Sequence, residues 1–329
     1  MNGRQSLQGS AFQGRALERG KKEPLMSLAT TTKLWLADHQ FLAGAALRLR
    51  NMNPVPCQAD IDKARVEAAA KQLRLASGKV AVIPICGVIE QRMSLWGWLF
   101  GGCSTEDTAQ ALHMALASKD CGAIVLDVDS PGGEVYGVQE LGDQIFAARS
   151  VKPVHAIANS CMASAAYWLG SCASQVCASP SADVGSVGVY AVHEDWSSAY
   201  AEAGVKCTIA KVPKNKAEFN DLEPLSDDDD ERLQEVVKGV YEKFVKAVAR
   251  NRGVPPSDVR SKYGNGRLLK GDEALSAGMI DKIMTMGDLM ERLTGGNRGE
   301  GRGASAKGAS VEVLRLRHQV AKDRKCRSL

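Results

Sequence analysis

Two short segments of this chain carry residue types suited to acyl transfer. Asp129-Ser130-Pro131-Gly132-Gly133 is a turn of small residues ending in two glycines. Thirty residues on, Met162-Ala163-Ser164-Ala165-Ala166-Tyr167-Trp168 sets a serine among alanines at the mouth of a helix. A Gly-Gly turn lets backbone N–H groups face a ligand without interference from Cβ atoms. A serine at a helix N-terminus keeps its hydroxyl free and feels partial positive charge. Together they offer a nucleophile and donors for an oxyanion. Taken singly, the first is a turn and Ser164 a packing residue. On consecutive strand–helix units they point to an enzyme, with Ser160 and Ser186 as the other serines to weigh.

Such a serine needs a base. The histidines are His39, His113, His155, His193 and His318, and only His193 with Asp195 makes a His/Asp combination. Lysine is the other option, since desolvation disfavours its charged form and lets it act as a base. Lys211, Lys214 and Lys216 stand together downstream of the serine. Each is by default a solvated loop charge.

The elements that must position these groups alternate. A strand begins at Lys79-Val80-Ala81-Val82-Ile83-Pro84-Ile85, and Ser104 caps a helix running to Ser118, with Asp107 as its acidic partner. Ala123 to Val128 forms a strand leading to the Gly-Gly turn and a helix near 134–149. Val154 to Ala158 leads to the Ser164 helix. Further strands are expected at Gln175–Ala178, Gly185–Val192 and Cys207–Ala210, with a helix near Trp196–Ala203. Continuous apolar strands separated by helices indicate a parallel sheet covered on both faces. Ligands bind such sheets beyond the carboxyl ends of the strands, where both motifs fall. Asp227 to Asp230 opens a long helix ending at Arg252, before Gly253. These acids read as a first turn stabilised by the helix dipole, not as a metal site. Another helix near 271–278 and Gly278-Met279-Ile280-Asp281 close the body. Residues 30–50 and 60–77 also look helical.

Charge is unevenly spread over the 329 residues, whose formal net charge is +4. Residues 1–25 hold five Lys/Arg against two Glu, and residues 293–329 nine Lys/Arg against three acids, so the middle is acidic. Three parts are expected: an N-terminal tail and helical arm over 1–78, a catalytic domain over 79–292, and a flexible basic tail over 293–329. Nucleic acid contact is expected only through the tails. Nine cysteines without a C-x-x-C pair imply reduced, buried thiols, not a disulfide framework or zinc site. No metal or cofactor is expected. No run reaches the ~18–20 apolar residues of a membrane span, and residues 1–25 lack a signal-peptide pattern. A cytoplasmic protein is expected. The Trp96–Trp98 loop is expected to line a substrate path.

The motifs keep a characteristic order: the Gly132-Gly133 turn, the Ser164 segment, Gly185-Ser186-Val187-Gly188-Val189, then Lys214-Asn215-Lys216. In this the chain resembles the signal-peptide-peptidase family of Ser/Lys proteases, most of all its phage and prophage head-maturation branch. The resemblance covers residues 79–285. It implies an α/β, crotonase-like (Clp-protease-like) fold of mostly parallel sheets with flanking helices. It implies Ser164 as nucleophile and Lys216, 52 residues later, as general base. The implied oxyanion hole combines the Gly132-Gly133 turn with the Ala165 N–H. Ring-like homo-oligomers and capsid, scaffold or portal proteins as substrates follow from the same resemblance, with activity in the host cytoplasm or procapsid. After the lysine the chain reads Ala217-Glu218-Phe219-Asn220-Asp221, where the phage enzymes commonly read Val-Asp-Gly-Asn-Pro. Lys211 and Lys214 therefore stay open as bases. A signal-peptide or oligopeptide peptidase, and an inactive scaffold of the same fold, are the alternatives.

Overall fold

The computed structural model describes residues 34–36, 74–76, 80–94, 97 and 101–295. The sheet is built on runs whose apolar side chains fill both faces. Strand β3 (Val80–Glu90) pairs in parallel with β5 (Ala123–Glu134), and β5 with β6 (Val154–Ala163). Strand β7 (Gln175–Ala178) lies parallel beyond β6, and β11 (Lys282–Ile283) parallel beyond β7. Short β1 (Leu34–Leu36) and β2 (Arg74–Ala76) pair antiparallel with β5 and β3 respectively. They fall within the stretches read as helices, whose remaining residues lie outside the described ones, as do Trp96, Trp98 and both tails.

Alternate residues of the strands bury on opposite faces. Ile124, Leu126, Ala156 and Ala158 meet helices α1 (Thr105–Ala117) and α2 (Val138–Ala148) in the main core. Val80, Val125, Ile157 and Cys177 point the other way onto Leu289. Full burial of each large apolar side chain is worth about 1.5–3 kcal/mol. Leu289 belongs to a further helix beyond Gly278–Asp281, whose last residues Leu293 and Thr294 fall in the stretch expected as a flexible tail. That helix, capped by Thr285, runs over Met286–Thr294.

Local signals set several boundaries as expected. Ser104 Oγ accepts the Asp107 N–H at 3.0 Å, and the helix ends before Ser118. Ser226 Oγ accepts the Asp229 N–H at the start of the long helix Asp227–Arg252, which stops at left-handed Gly253 (φ 66°). The four aspartates occupy its first turn.

Other expectations need correction. The Gly185–Val192 strand is broken into β8 (Asp183–Gly185) and β9 (Tyr190–Ala191). Ser186 at φ 52° leaves the β region, so the ladder stops there. Cys207–Ala210 is no strand, and it lies largely exposed. The helix placed near 134 starts at Val138, because β5 runs on to Glu134.

The described cysteines form no disulfide, and Cys103, Cys121, Cys172 and Cys177 are buried. Burial pushes the Cys103 and Cys172 thiols up to about 12. Among the described residues, no helix is long and apolar enough to cross a membrane.

Candidate active site

Strands β5 and β6 do not end where the flat sheet ends. Their register breaks between Val128 and Ser130, and the β3–β5 register breaks between Cys86 and Val88. Bulges of this kind bend strands and re-aim the residues that follow. Past the break, β6 pairs with β8 through Cys161, Met162 and Ala163, while below it Val154–Ala158 face β5 and His155–Ala158 face β7. The last β5–β6 pair is Ser130 with Met162. Gly132 and Ser164 each follow that pair by two residues, and the helix after Ser164 packs against β5.

Ser164 is the residue between β6 and the helix α3 (Ala165–Ser171). Its φ of 53° and ψ of −120° lie outside the regions L-residues prefer. Such backbone persists where surroundings over-determine it, and it clusters at active sites. Here the anchors are visible. The Ser164 N–H donates to Gly185 O at 2.7 Å, and its carbonyl accepts the Trp168 N–H at 2.9 Å. Behind it α3 is wholly buried, with Trp168 stacked on Phe244 at 4.8 Å. Ser164 makes no side-chain cap bond to the helix. Ala165, as the first helical residue, has an N–H without a partner inside the helix.

The Gly132-Gly133 pair, expected as a turn, instead lies inside β5, paired with Val88 and Ile89 of β3, and is equally constrained. Gly132 has a φ of 98°, and a Cβ on Gly133 would lie 2.0 Å from Ile89 O. Gly133 thus permits the close approach of β3, beyond any role toward a ligand. The Gly132 N–H donates to Ser130 Oγ at 3.1 Å, and the buried Ser130 hydroxyl donates to Gly87 O at 2.6 Å. Sequence reading took Ser130 as a turn residue only. Its one signal was a serine two residues before the glycine.

The other candidates are dispersed. Ser160 is exposed and donates to Asp129; Asn159 likewise reaches Asp127. Ser186 N–H donates to Arg267 O. Buried His155 sits mid-strand, and His113 is exposed on α1. His193 Nε2 lies 2.7 Å from Asn220 O, while Asp195 accepts the Ser197 N–H at 2.9 Å. The two are not joined by a hydrogen bond.

Lys214 and Lys216 lie on a single 3-10 turn, Lys214–Ala217, and all three candidate lysines are exposed. Lys214 pairs with Asp228 at 3.1 Å, and Lys211 faces Glu223 at 3.9 Å. A cleft of about 350 Å³ opens over this segment, lined by His193, Lys211, Lys214, Phe219 and Asp228 among others. Its lining includes neither Ser164 nor the glycine turn. Within one chain, then, the Ser130–Met162 pair leads on one strand to Gly132-Gly133 and on the other to Ser164 and Ala165, while Lys216 is exposed.

Residues 147–298 match the model described as Peptidase family S49. The chain is 27% identical over 221 residues to the head-tail preconnector protein GP5 of Enterobacteria phage P21, covering 67% of this chain and 44% of that protein. It is 29% identical over 221 residues to the capsid assembly protease C of Escherichia phage lambda, covering 67% and 50%. The chain thus spans about half the length of the curated relatives it matches. These matches bear out the resemblance drawn from the motif order. Among solved structures it is similar to a ClpP1 mutant from Listeria monocytogenes, at TM-score 0.39 and 16% identity, covering 68% of this chain and 98% of that one. That likeness is too loose to argue from. The α/β architecture of mostly parallel strands with flanking helices is the one expected.

Proposed function

We propose that this chain is a serine-type endopeptidase that processes capsid, scaffold or portal proteins during phage head assembly. The observation that carries the reading is Ser164, buried at a strand-to-helix junction with unfavourable φ and ψ, two residues after the Ser130–Met162 pair that the Gly132-Gly133 segment also follows. A serine held there presents its hydroxyl to a carbonyl whose oxygen faces main-chain N–H groups. The match of residues 147–298 to a peptidase family supports the reaction class. Similarity to a protein described as a capsid assembly protease supports the substrate class.

Ser164 is the nucleophile and Lys216 the general base in this reading; Ala165 and the glycine turn supply the oxyanion donors. A lysine base has to be neutral, and burial is what removes its charge. Lys216 is exposed in the single chain, so the reading requires its segment to be covered when the site is complete. No residue of 192–216 is fully buried, with Val212 91% exposed and Val192 and Val205 about half exposed. Packing of this segment in a homo-oligomer meets that requirement and hides this apolar surface from water. The catalytic body is residues 79–292, flanked by an arm over 1–78 and a basic tail over 293–329. The absence of a membrane-spanning helix among the described residues accords with action in the host cytoplasm or procapsid.

The deciding experiment is a fluorophosphonate labelling assay on the purified chain, with the modified residue located by mass spectrometry. Labelling at Ser164, and its loss in a folded Ser164→Ala variant that also fails to cleave protein substrates, is the expected result. An assembled wild-type protein that is never labelled at Ser164 would support an inactive scaffold instead.

A further inference from the structure

The bulge that bends β5 toward the site leaves main-chain groups without ladder partners. On β3 the register passes from Cys86 to Val88, stepping over Gly87. On β5 it passes from Asp129 to Gly132, stepping over Ser130 and Pro131. Buried N–H and C=O groups left unpaired are costly, so something must replace the ladder. The Ser130 hydroxyl does so for one of each. It donates to Gly87 O at 2.6 Å and accepts the Gly132 N–H at 3.1 Å, from a residue that is 0% exposed. Ser130 also faces Met162 of β6, two residues before Ser164. One hydroxyl thus joins the β3 bulge, the glycine turn and the strand that delivers the serine.

We infer that Ser130 is a positioning residue for the oxyanion turn, an inference that rests on the reading of Ser164 as nucleophile. The Gly132 amide is engaged by Ser130 and is not itself an oxyanion donor. Its engagement fixes the orientation of the following peptide, which carries the Gly133 N–H. Gly133, which the register sets between Ile89 of β3 and Leu36 of β1, and Ala165 are then the two amides assigned to the reacting carbonyl. A donor in an oxyanion hole works because it needs no reorganisation when charge develops. The hydroxyl that holds the turn therefore acts on the chemical step and not on ground-state binding.

The same fluorophosphonate probe tests this on the full chain, by its concentration dependence at Ser164. The maximal labelling rate reports the chemical step, and the half-saturating concentration reports binding. In Ser130→Ala the maximal rate should fall by about 10–100-fold, below the ~10²–10³ for removing a donor outright. Half-saturation should stay within about twofold, while the two buried main-chain groups left unpaired should lower the melting temperature. Folded Ser130→Ala labelled at the wild-type maximal rate would reduce Ser130 to a purely structural role. So would a loss confined to half-saturation. If Ser130→Ala does not fold, Ser130→Cys decides, because it is similar in size with a weaker donor and acceptor. A reduced maximal rate in folded Ser130→Cys supports the inference, and a wild-type rate overturns it. Wild-type protein unlabelled at Ser164 would instead overturn the peptidase reading, and this inference with it.

Discussion

The Tyr167 hydroxyl donates to the main-chain carbonyl of Met279 at 2.9 Å, across 112 residues of sequence. Tyr167 is fully buried one turn into the helix behind Ser164, edge-on to Tyr263 at 6.4 Å. Tyr263 in turn donates to Gly278 O at 3.2 Å. The helix that fixes the backbone of Ser164 is therefore tied to the loop before β11, not to its sequence neighbours alone.

Tyr167→Phe keeps the ring and removes the bond, leaving the Met279 carbonyl unpaired. A loss of roughly 1–2 kcal/mol in urea unfolding is expected. Fluorophosphonate labelling of Ser164 should slow only modestly, because the ring packing survives. Unchanged stability would show that water replaces the phenol.

Gly133→Ala should lose stability as well as activity. Its Cβ would meet Ile89 O, N and C at 2.0–2.6 Å, all of them main-chain atoms that cannot swing aside. A cost of at least ~3 kcal/mol follows from forcing two strands apart. A variant with normal melting and normal labelling would contradict the close approach itself.

Arg252 and Asp281 form a pair at 2.6 Å, with the arginine side chain 9% and the aspartate 35% exposed. Burial alone would raise the Asp281 carboxyl, but bonds from Arg252 and the Val176 N–H outweigh it and hold the carboxyl below its ordinary value. A carboxyl depressed in the folded state stabilises above its unfolded value, near ~3.9, and loses this as pH falls through the folded one. Asp281→Asn should cost about 2–3 kcal/mol at neutral pH, less than the ~3–5 of a fully buried pair. It should also flatten the stability curve below about pH 4, a change that chemical denaturation across pH would reveal.

His155 is held below the usual histidine range, chiefly by burial and then by nearby Arg292, with Nδ1 lacking a hydrogen-bond partner. The unfolded chain takes up this proton near ~6.5 and the folded chain only at lower pH. Stability should therefore fall as pH drops below about 6.5 and level off once the folded histidine is itself protonated. His155→Gln should remove that dependence. An identical pH profile for both proteins would assign the acid sensitivity elsewhere.

The three lysines separate in a single comparison. Lys216→Met keeps most of the apolar stem and removes the amine, so it should fold, assemble and lose cleavage by about 10²-fold or more. Lys214→Met loses an exposed pair with Asp228, worth at most ~1 kcal/mol, and should stay active. Lys211→Met should also stay active. A dead Lys214→Met beside an active Lys216→Met would move the base two residues back. Sedimentation of the same proteins tests the oligomer: a fully active strict monomer would contradict a site completed by assembly.

Much of this molecule is legible without coordinates because its signals are local. An apolar run such as Ala123–Val128 can only be a strand buried on both faces. Ser104 and Ser226 satisfy helix N-termini through bonds three residues long, and Gly253 alone tolerates the left-handed stop. The order of the glycine turn and the Ser164 segment was enough to suggest acyl transfer. What tertiary structure decided is non-local. Cys207–Ala210 has strand-like residues yet joins no ladder, and no local preference decides that. Met286–Thr294 is a helix because β5 and β6 need their second face covered by Leu289. Ser130 reads as a turn residue until Gly87, 43 residues away in the chain, brings its carbonyl within 2.6 Å. Local chemistry singles out Ser164 as the candidate nucleophile; the bulged register, which depends on three strands at once, sets Ser130 between Gly87 and Gly132.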